Sequence, residues 1–228
     1  MKTVALIMAG GSGTRMNSNT AKQSLCIGDK KIFRITVEKF CSFDFIDNVV
    51  LVGRKDDLEE YRTDLADLDK VLGVVEGGAT RSESVFNGLQ ELKGEAPDVV
   101  AVHDAVRPFV KEEVVRMTVL EAFEHGGAVA ASDCVDTIAQ VKDGNLAMVL
   151  DRSKLRNLQT PQTFKFDILL KAHELVKKEK LNVTDDTGAV MMVHNTIKIV
   201  KSSSGNIKIT DPDDLKKAQL EGGNGKES

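Results

Sequence analysis

Five short apolar runs without polar alternation recur along the first 131 residues of this 228-residue chain: Thr3–Met8, Asn48–Gly53, 70–76, 98–104 and 128–131. Between them, residues 31–40, 56–68, 82–92 and 111–125 carry apolar side chains at helical spacing, as in Val85, Leu89 and Leu92. A strand that is apolar on both sides has to be covered on both sides. Strands of this kind, separated by helices, imply a mostly parallel sheet with helices on both faces. The expected class is therefore α/β, Rossmann-like, with right-handed crossovers.

In such a sheet, ligands bind beyond the carboxyl ends of the strands. Three polar motifs fall there, at residues 10–15, 77–81 and 104–107, and are expected to line one edge. The first is Ala9-Gly10-Gly11-Ser12-Gly13-Thr14-Arg15-Met16, with Lys22 seven residues past Arg15. Glycines let backbone N–H groups approach a phosphate closely, and Arg15 and Lys22 place two positive charges where a polyphosphate would lie. The dinucleotide fingerprint is excluded because Met16 occupies the place of its third glycine. A P-loop is excluded because no Lys-Ser or Lys-Thr pair follows the glycines.

Asp104 ends the fourth run, where a hard cation such as Mg²⁺ would find a carboxylate beside phosphate oxygens; equally, Asp104 could cap a following helix. His103, inside the apolar run, reads as a packed core histidine, and Arg107 as either a partner for an acidic substrate or a brace for its loop. Gly77-Gly78-Ala79-Thr80-Arg81-Ser82-Glu83-Ser84 offers backbone amides to a base or ribose, or else a capping box built on Ser82, Glu83 and Ser84. Asp151-Arg152, residues 158–164, Thr184-Asp185-Asp186 and residues 205–210 read singly as surface structure. Arg152 and Lys208 gain meaning only as a pair able to neutralise a second phosphate.

A net charge of −4 argues against a general nucleic-acid binder, and no apolar stretch approaches membrane-spanning length. Cys26, Cys41 and Cys134 form no C-x-x-C pair and read as buried small hydrophobes in a reduced, cytoplasmic protein. Residues 137–141 and 146–150 flank Asp143-Gly144 and predict a hairpin, within an arm spanning about residues 136–158. Residues 167–178, 196–200 and 211–220 predict a helix, a strand and a helix, the last with Asp211 as N-cap. One domain over residues 1–220 and a disordered tail over 221–228 are expected.

Taken in order, residues 9–16 with Lys22-Gln23, 77–88, 102–108, 136–137, 151–152, 159–164, 184–187 and 206–210 resemble the 2-C-methyl-D-erythritol 4-phosphate cytidylyltransferase family. The resemblance implies a nucleotidyltransferase-type fold and Mg²⁺-dependent transfer of CMP from CTP to a sugar-alcohol phosphate, with release of pyrophosphate. It implies that Arg15 and Lys22 stabilise the transition state and that Asp104 binds Mg²⁺. Gly10, Gly11, Gly13, Gly78, Ala79 and Ser84 would hold the nucleotide, with Ala105 also lining the substrate site. Arg107, Thr137, Arg152, Thr160, Thr184 and Lys208 would hold the acceptor, Arg152 and Lys208 aiming its phosphate. The arm would build a homodimer and bring Thr137 and Arg152 to the partner's site. The chain departs from the family at Ala21, where proline is usual, at Ser24, where an aromatic is usual, and over residues 29–34. Two other readings are a ribitol-5-phosphate cytidylyltransferase and a non-catalytic nucleotide-binding module. Asp151-Arg152 favours the erythritol acceptor over ribitol.

Overall fold

The computed structural model describes residues 1–10 and 25–223. In chain order these form β1 (Thr3–Met8), β2 (Cys26–Ile27), β3 (Lys30–Lys31), α1 (Ile32–Ser42), β4 (Asn48–Gly53), α2 (Leu58–Leu65), β5 (Val71–Glu76), α3 (Arg81–Glu91), β6 (Val99–Asp104), α4 (Glu112–His125) and β7 (Gly127–Asp133). There follow β8 (Ala139–Lys142), β9 (Asn145–Val149), β10 (Arg156–Lys165), α5 (Phe166–Glu179), α6 (Asp186–Val190), β11 (Lys198–Lys201) and α7 (Pro212–Gly223). α7 extends past residue 220 into the stretch read as tail, and residues 224–228 lie outside the described residues.

The central sheet has strand order β11-β7-β10-β6-β1-β4-β5. Successive side chains of a strand point to opposite faces. Ala5 and Ile7 of β1 accordingly join one core with Phe33, Val37 and Phe40 of α1, Tyr61 of α2 and Val115 and Val119 of α4. Val4, Leu6 and Met8 join a second core with Val85 and Leu89 of α3, Leu169 and Val176 of α5 and Ala189 of α6. All six residues of β1 are buried, as a strand between two helical layers has to be. This gives the expected three-layer α/β class.

One strand was not legible. Residues 158–164 read as polar surface, yet they belong to β10, which pairs antiparallel with β6 (Gln162 opposite Val102) and with β7 (Thr163 opposite Ala128). Glutamine and proline mask it, since proline lacks a ladder donor and the polar side chains leave no apolar run to mark a buried strand. The burial is tolerated because the polar groups are satisfied: Gln162 Nε2 donates to Asp185 Oδ2 at 2.9 Å, and Thr163 Oγ1 to Thr118 Oγ1 at 3.1 Å. The ladder shifts register between Leu158 and Gln162, around a cis Thr160–Pro161 bond.

The hairpin stands as expected: β8 and β9 pair antiparallel, and Asp143 and Gly144 take φ of 51° and 77° as a tight two-residue turn demands. Val141, Leu146, Met148 and Val149 are exposed on it. Asp211 Oδ1 accepts from the N–H groups of Asp213 and Asp214, so it caps α7 as read. The cysteines depart from expectation. Cys26 is exposed and the other two are only partly covered, although none is in a disulfide. Among the described residues, no helix is long and apolar enough to cross a membrane.

Candidate active site

The carboxyl edge is organised around Asp104, the last residue of β6, which is only 6% exposed. Its Oδ2 lies 3.0 Å from Lys208 Nζ and 3.3 Å from Arg107 Nε, and its Oδ1 lies 3.8 Å from Arg81 Nη2. Burial opposes ionisation of this carboxyl. Lys208, Arg81 and Arg107 outweigh it and hold the group well below the usual carboxylate range. The backbone N–H of Asp104 donates to Thr160 Oγ1 at 3.1 Å. Asp104 is therefore a fixed anion and not a helix cap, since α4 begins only at Glu112.

Each cation arrives from a different segment. Arg81 opens α3; Arg107 follows β6 in a turn and also donates to the Asn206 carbonyl at 2.7 Å. Arg107 thus braces the loop that carries Lys208. Asn206, 2% exposed, donates to Gln159 Oε1 at 3.1 Å and to the Thr160 carbonyl at 2.8 Å. The buried polar start of β10 is what holds the Asn206–Lys208 loop at the edge. His103 is a core histidine as expected: it is fully buried against Phe40, Nε2 lies 3.1 Å from the Arg107 carbonyl, and burial pushes it down to about 4.

The second motif forms the neighbouring wall. Thr80, and not the Ser82-centred box, caps α3: its Oγ1 accepts from Glu83 N–H at 3.1 Å, and Glu83 Oε2 accepts from Ala79 N–H at 2.8 Å. Ser84 Oγ donates to the Thr80 carbonyl at 2.8 Å and accepts from Gly78 N–H at 3.0 Å. A Cβ on Gly78 would collide with Glu83, so only glycine fits there. Gly10, Gly53, Gly77, Gly78, Ala79 and Ser84 line a cleft of about 330 Å³ with Arg54 beside them. Lys55, Asp56 and Glu76 complete its lining, and the N–H groups of Gly77, Gly78 and Ala79 are held by Gly53 O, Ser84 Oγ and Glu83 Oε2, which sets the shape of the cleft.

Asp104, Ala105, Arg107, Thr160 and Lys208 are thus brought together, and Gly10, Gly78, Ala79 and Ser84 form the adjoining cleft. Thr184 is exposed beside Arg81 and Ser82. Thr137 is exposed at the base of the arm, and Arg152 donates to the Val135 carbonyl; among the described residues neither bonds to the Asp104 cluster. Gly11, Gly13, Arg15 and Lys22, with Ala21 and Ser24, lie outside the described residues.

Sequence reasoning gave Arg81 and His173 no role at the site and read Asp186 as surface structure, which its burial corrects. Asp186 is fully buried and pairs with Arg81 at 2.5 Å and with His173 Nε2 at 3.1 Å. The available signal was His173 among Leu169, Ala172 and Val176, a polar residue on the buried face of α5.

Thr160→Val keeps the shape of the side chain but strands the buried Asp104 N–H. It is expected to cost about 1–3 kcal/mol of stability in a denaturant melt. A melt unchanged from the parent would show that this bond does not hold the edge.

Comparison with known proteins agrees with this architecture. The IspD family model, described as 2-C-methyl-D-erythritol 4-phosphate cytidylyltransferase, matches residues 3–221. Proteins of that name from Clostridium botulinum (strain Eklund 17B) and Clostridium acetobutylicum are 36% and 37% identical over 214 and 219 residues, covering 92% and 94% of this chain and 95% of each relative. The crystal structure of 4-diphosphocytidyl-2C-methyl-D-erythritol synthase from Anaerococcus prevotii superposes with a TM-score of 0.85 at 29% identity, covering 96% of this chain and 95% of that one. With a family model spanning almost its whole length and relatives above one-third identity along it, the chain belongs to the 2-C-methyl-D-erythritol 4-phosphate cytidylyltransferase family.

Proposed function

We propose that the protein transfers CMP from CTP to 2-C-methyl-D-erythritol 4-phosphate, releasing pyrophosphate and giving 4-diphosphocytidyl-2-C-methyl-D-erythritol. The observation that carries this reading is the anionic Asp104 at the carboxyl edge, ringed by Lys208, Arg107 and Arg81 and adjoining a glycine-rich cleft. Curated relatives named for the methylerythritol substrate favour that acceptor over ribitol 5-phosphate. A binding-only module has little use for a second phosphate site of the kind that Arg152 and Lys208 would form.

The acceptor phosphate is already an anionic nucleophile, so no side-chain base is needed. Catalysis rests on alignment and charge neutralisation during in-line attack on the α-phosphorus. Gly10, Gly11, Gly13, Gly78, Ala79 and Ser84 hold the nucleotide, with Ala105 beside them. Arg15 and Lys22 neutralise charge developing at the α-phosphorus. Arg107, Thr137, Thr160 and Thr184 seat the acceptor, while Arg152 and Lys208 aim its phosphate.

The donor chemistry fits Mg²⁺ in the way this ion binds nucleotides: Asp104 offers a hard carboxylate whose Oδ1 is met only by Arg81 at 3.8 Å among the described residues, while Lys208 and Arg107 face Oδ2. Asp104 would hold it, and the ion would supply further charge neutralisation on the triphosphate. Among the described residues, no cluster of three or more His, Cys, Asp or Glu side chains could hold it alone. The enzyme works in the cytoplasm as a homodimer. The arm's exposed Val141, Leu146, Met148 and Val149 are the apolar surface a second copy would cover.

Pyrophosphate release is expected from CTP with methylerythritol phosphate and Mg²⁺, and far less with ribitol 5-phosphate. Arg15→Ala and Lys22→Ala are each expected to lower kcat about 10²–10³-fold. No release from the parent protein at saturating substrates, or parent-like kcat in both variants, contradicts the reading. Mixing Arg152→Ala with Lys22→Ala subunits tests the shared site. Activity should reappear in the mixed dimer, because one of its two sites draws both residues from intact copies. Mixtures no more active than either variant alone would place Arg152 outside the partner's site.

A further inference from the structure

Among the described residues, Arg81 is the one cation of the Asp104 cluster that a second carboxylate also holds. It is also the only one on Asp104 Oδ1, since Lys208 and Arg107 both face Oδ2. Arg81 Nη2 stands 3.8 Å from Oδ1, an ion-pair distance too long for a hydrogen bond, so Arg81 sets the positive charge on that side of the carboxylate, and whatever fixes Arg81 controls the site indirectly.

Arg81 Nη1 lies 2.5 Å from Asp186 Oδ2. Asp186 is fully buried, and its Oδ1 lies 3.1 Å from Nε2 of His173, itself 1% exposed. His173 Nδ1 faces Ser82 Oγ at 2.9 Å. With the imidazole proton on Nε2, the ring donates to Asp186 and accepts from Ser82, so both contacts are satisfied. Gln162 Oε1 accepts from the N–H groups of Asp186 and Thr187, each at 3.0 Å, which ties the residue's backbone to β10. Neither oxygen of Asp186 is free to turn. Burial opposes its charge, yet Arg81 and then His173 keep it below the ordinary carboxylate range.

A buried carboxylate is costly unless it is paired, and this one spends its pairing on an arginine that reaches the reactive edge. We infer that Asp186, seated on His173, is a positioning residue of the transfer site: it holds the Arg81 guanidinium beside Asp104 Oδ1 and so fixes where that positive charge lies at the reactive edge. This rests on the cytidylyltransfer reading. It adds to that reading a second line of residues, running from α5 through α6 and α3 to the end of β6.

The test is a double-mutant cycle on the full-length protein with Asp186→Asn, Arg81→Gln and the double variant. The readouts are kcat and KM for CTP, melting temperature, and CTP affinity by calorimetry with Mg²⁺ present. Each single variant is expected to lose about 10–100-fold in kcat/KM, the usual effect of removing a supporting partner. The double variant should lose no more than Arg81→Gln alone, because Asp186 acts through Arg81. Multiplied losses, or parent-like kcat/KM in Asp186→Asn, would overturn the inference. If Asp186→Asn does not fold, His173→Leu takes its place in the cycle, freeing the carboxylate while keeping its charge. If the parent releases no pyrophosphate, the reaction reading fails; the same cycle read by calorimetric CTP affinity then decides the coupling by itself.

Discussion

A carboxylate buried at the end of a strand is the constraint from which the rest of this molecule follows. An ion out of water costs several kcal/mol unless charge and hydrogen bonds replace its hydration. Asp104 finds that replacement in Lys208, Arg107 and Arg81, which come from a C-terminal loop, the turn after β6 and the start of α3. These segments are far apart in sequence. Only a sheet that brings β6 to the centre, with α3 on one side and the residue 206–208 loop on the other, can collect them.

The antiparallel β10 makes this possible. A purely parallel sheet would set another strand's amino end far from the edge where ligands bind. By running against β6, β10 delivers its first half, Gln159 and Thr160, to the same edge as Asp104. Its polar side chains then do two jobs: Gln159 and the Thr160 carbonyl seat Asn206, and Gln162 seats the start of α6. The strand is poor in apolar residues because its side chains and carbonyls support loops and do not simply fill a core.

This explains what the sequence could and could not disclose. Runs such as Thr3–Met8 and Asn48–Gly53 announce themselves, because burial on both faces demands continuous apolar residues. Asp143-Gly144 announces its turn because few residue pairs accept positive φ at both positions. Residues 158–164 hide because their burial is satisfied by hydrogen bonds from distant segments, which no local pattern encodes. At the site, Asp104, Arg107, Thr160 and Lys208 were each readable as strand-end or loop polar residues, but their convergence was not. Arg81, Asp186 and His173 were harder still. Their meaning lies in pairing across residues 81, 104, 173 and 186, and only the lone histidine on the apolar face of α5 hinted at it.

We propose that Asp104 is held as a pre-formed anion so that it can receive the divalent cation that accompanies the nucleotide. Calorimetric titration of CTP with and without Mg²⁺, on the parent protein and on Asp104→Asn, tests it most directly. In the parent, Mg²⁺ should tighten CTP binding about tenfold or more; in Asp104→Asn that gain should vanish while the variant still melts cooperatively. A folded Asp104→Asn protein with the parent's full Mg²⁺-dependent gain would contradict the claim.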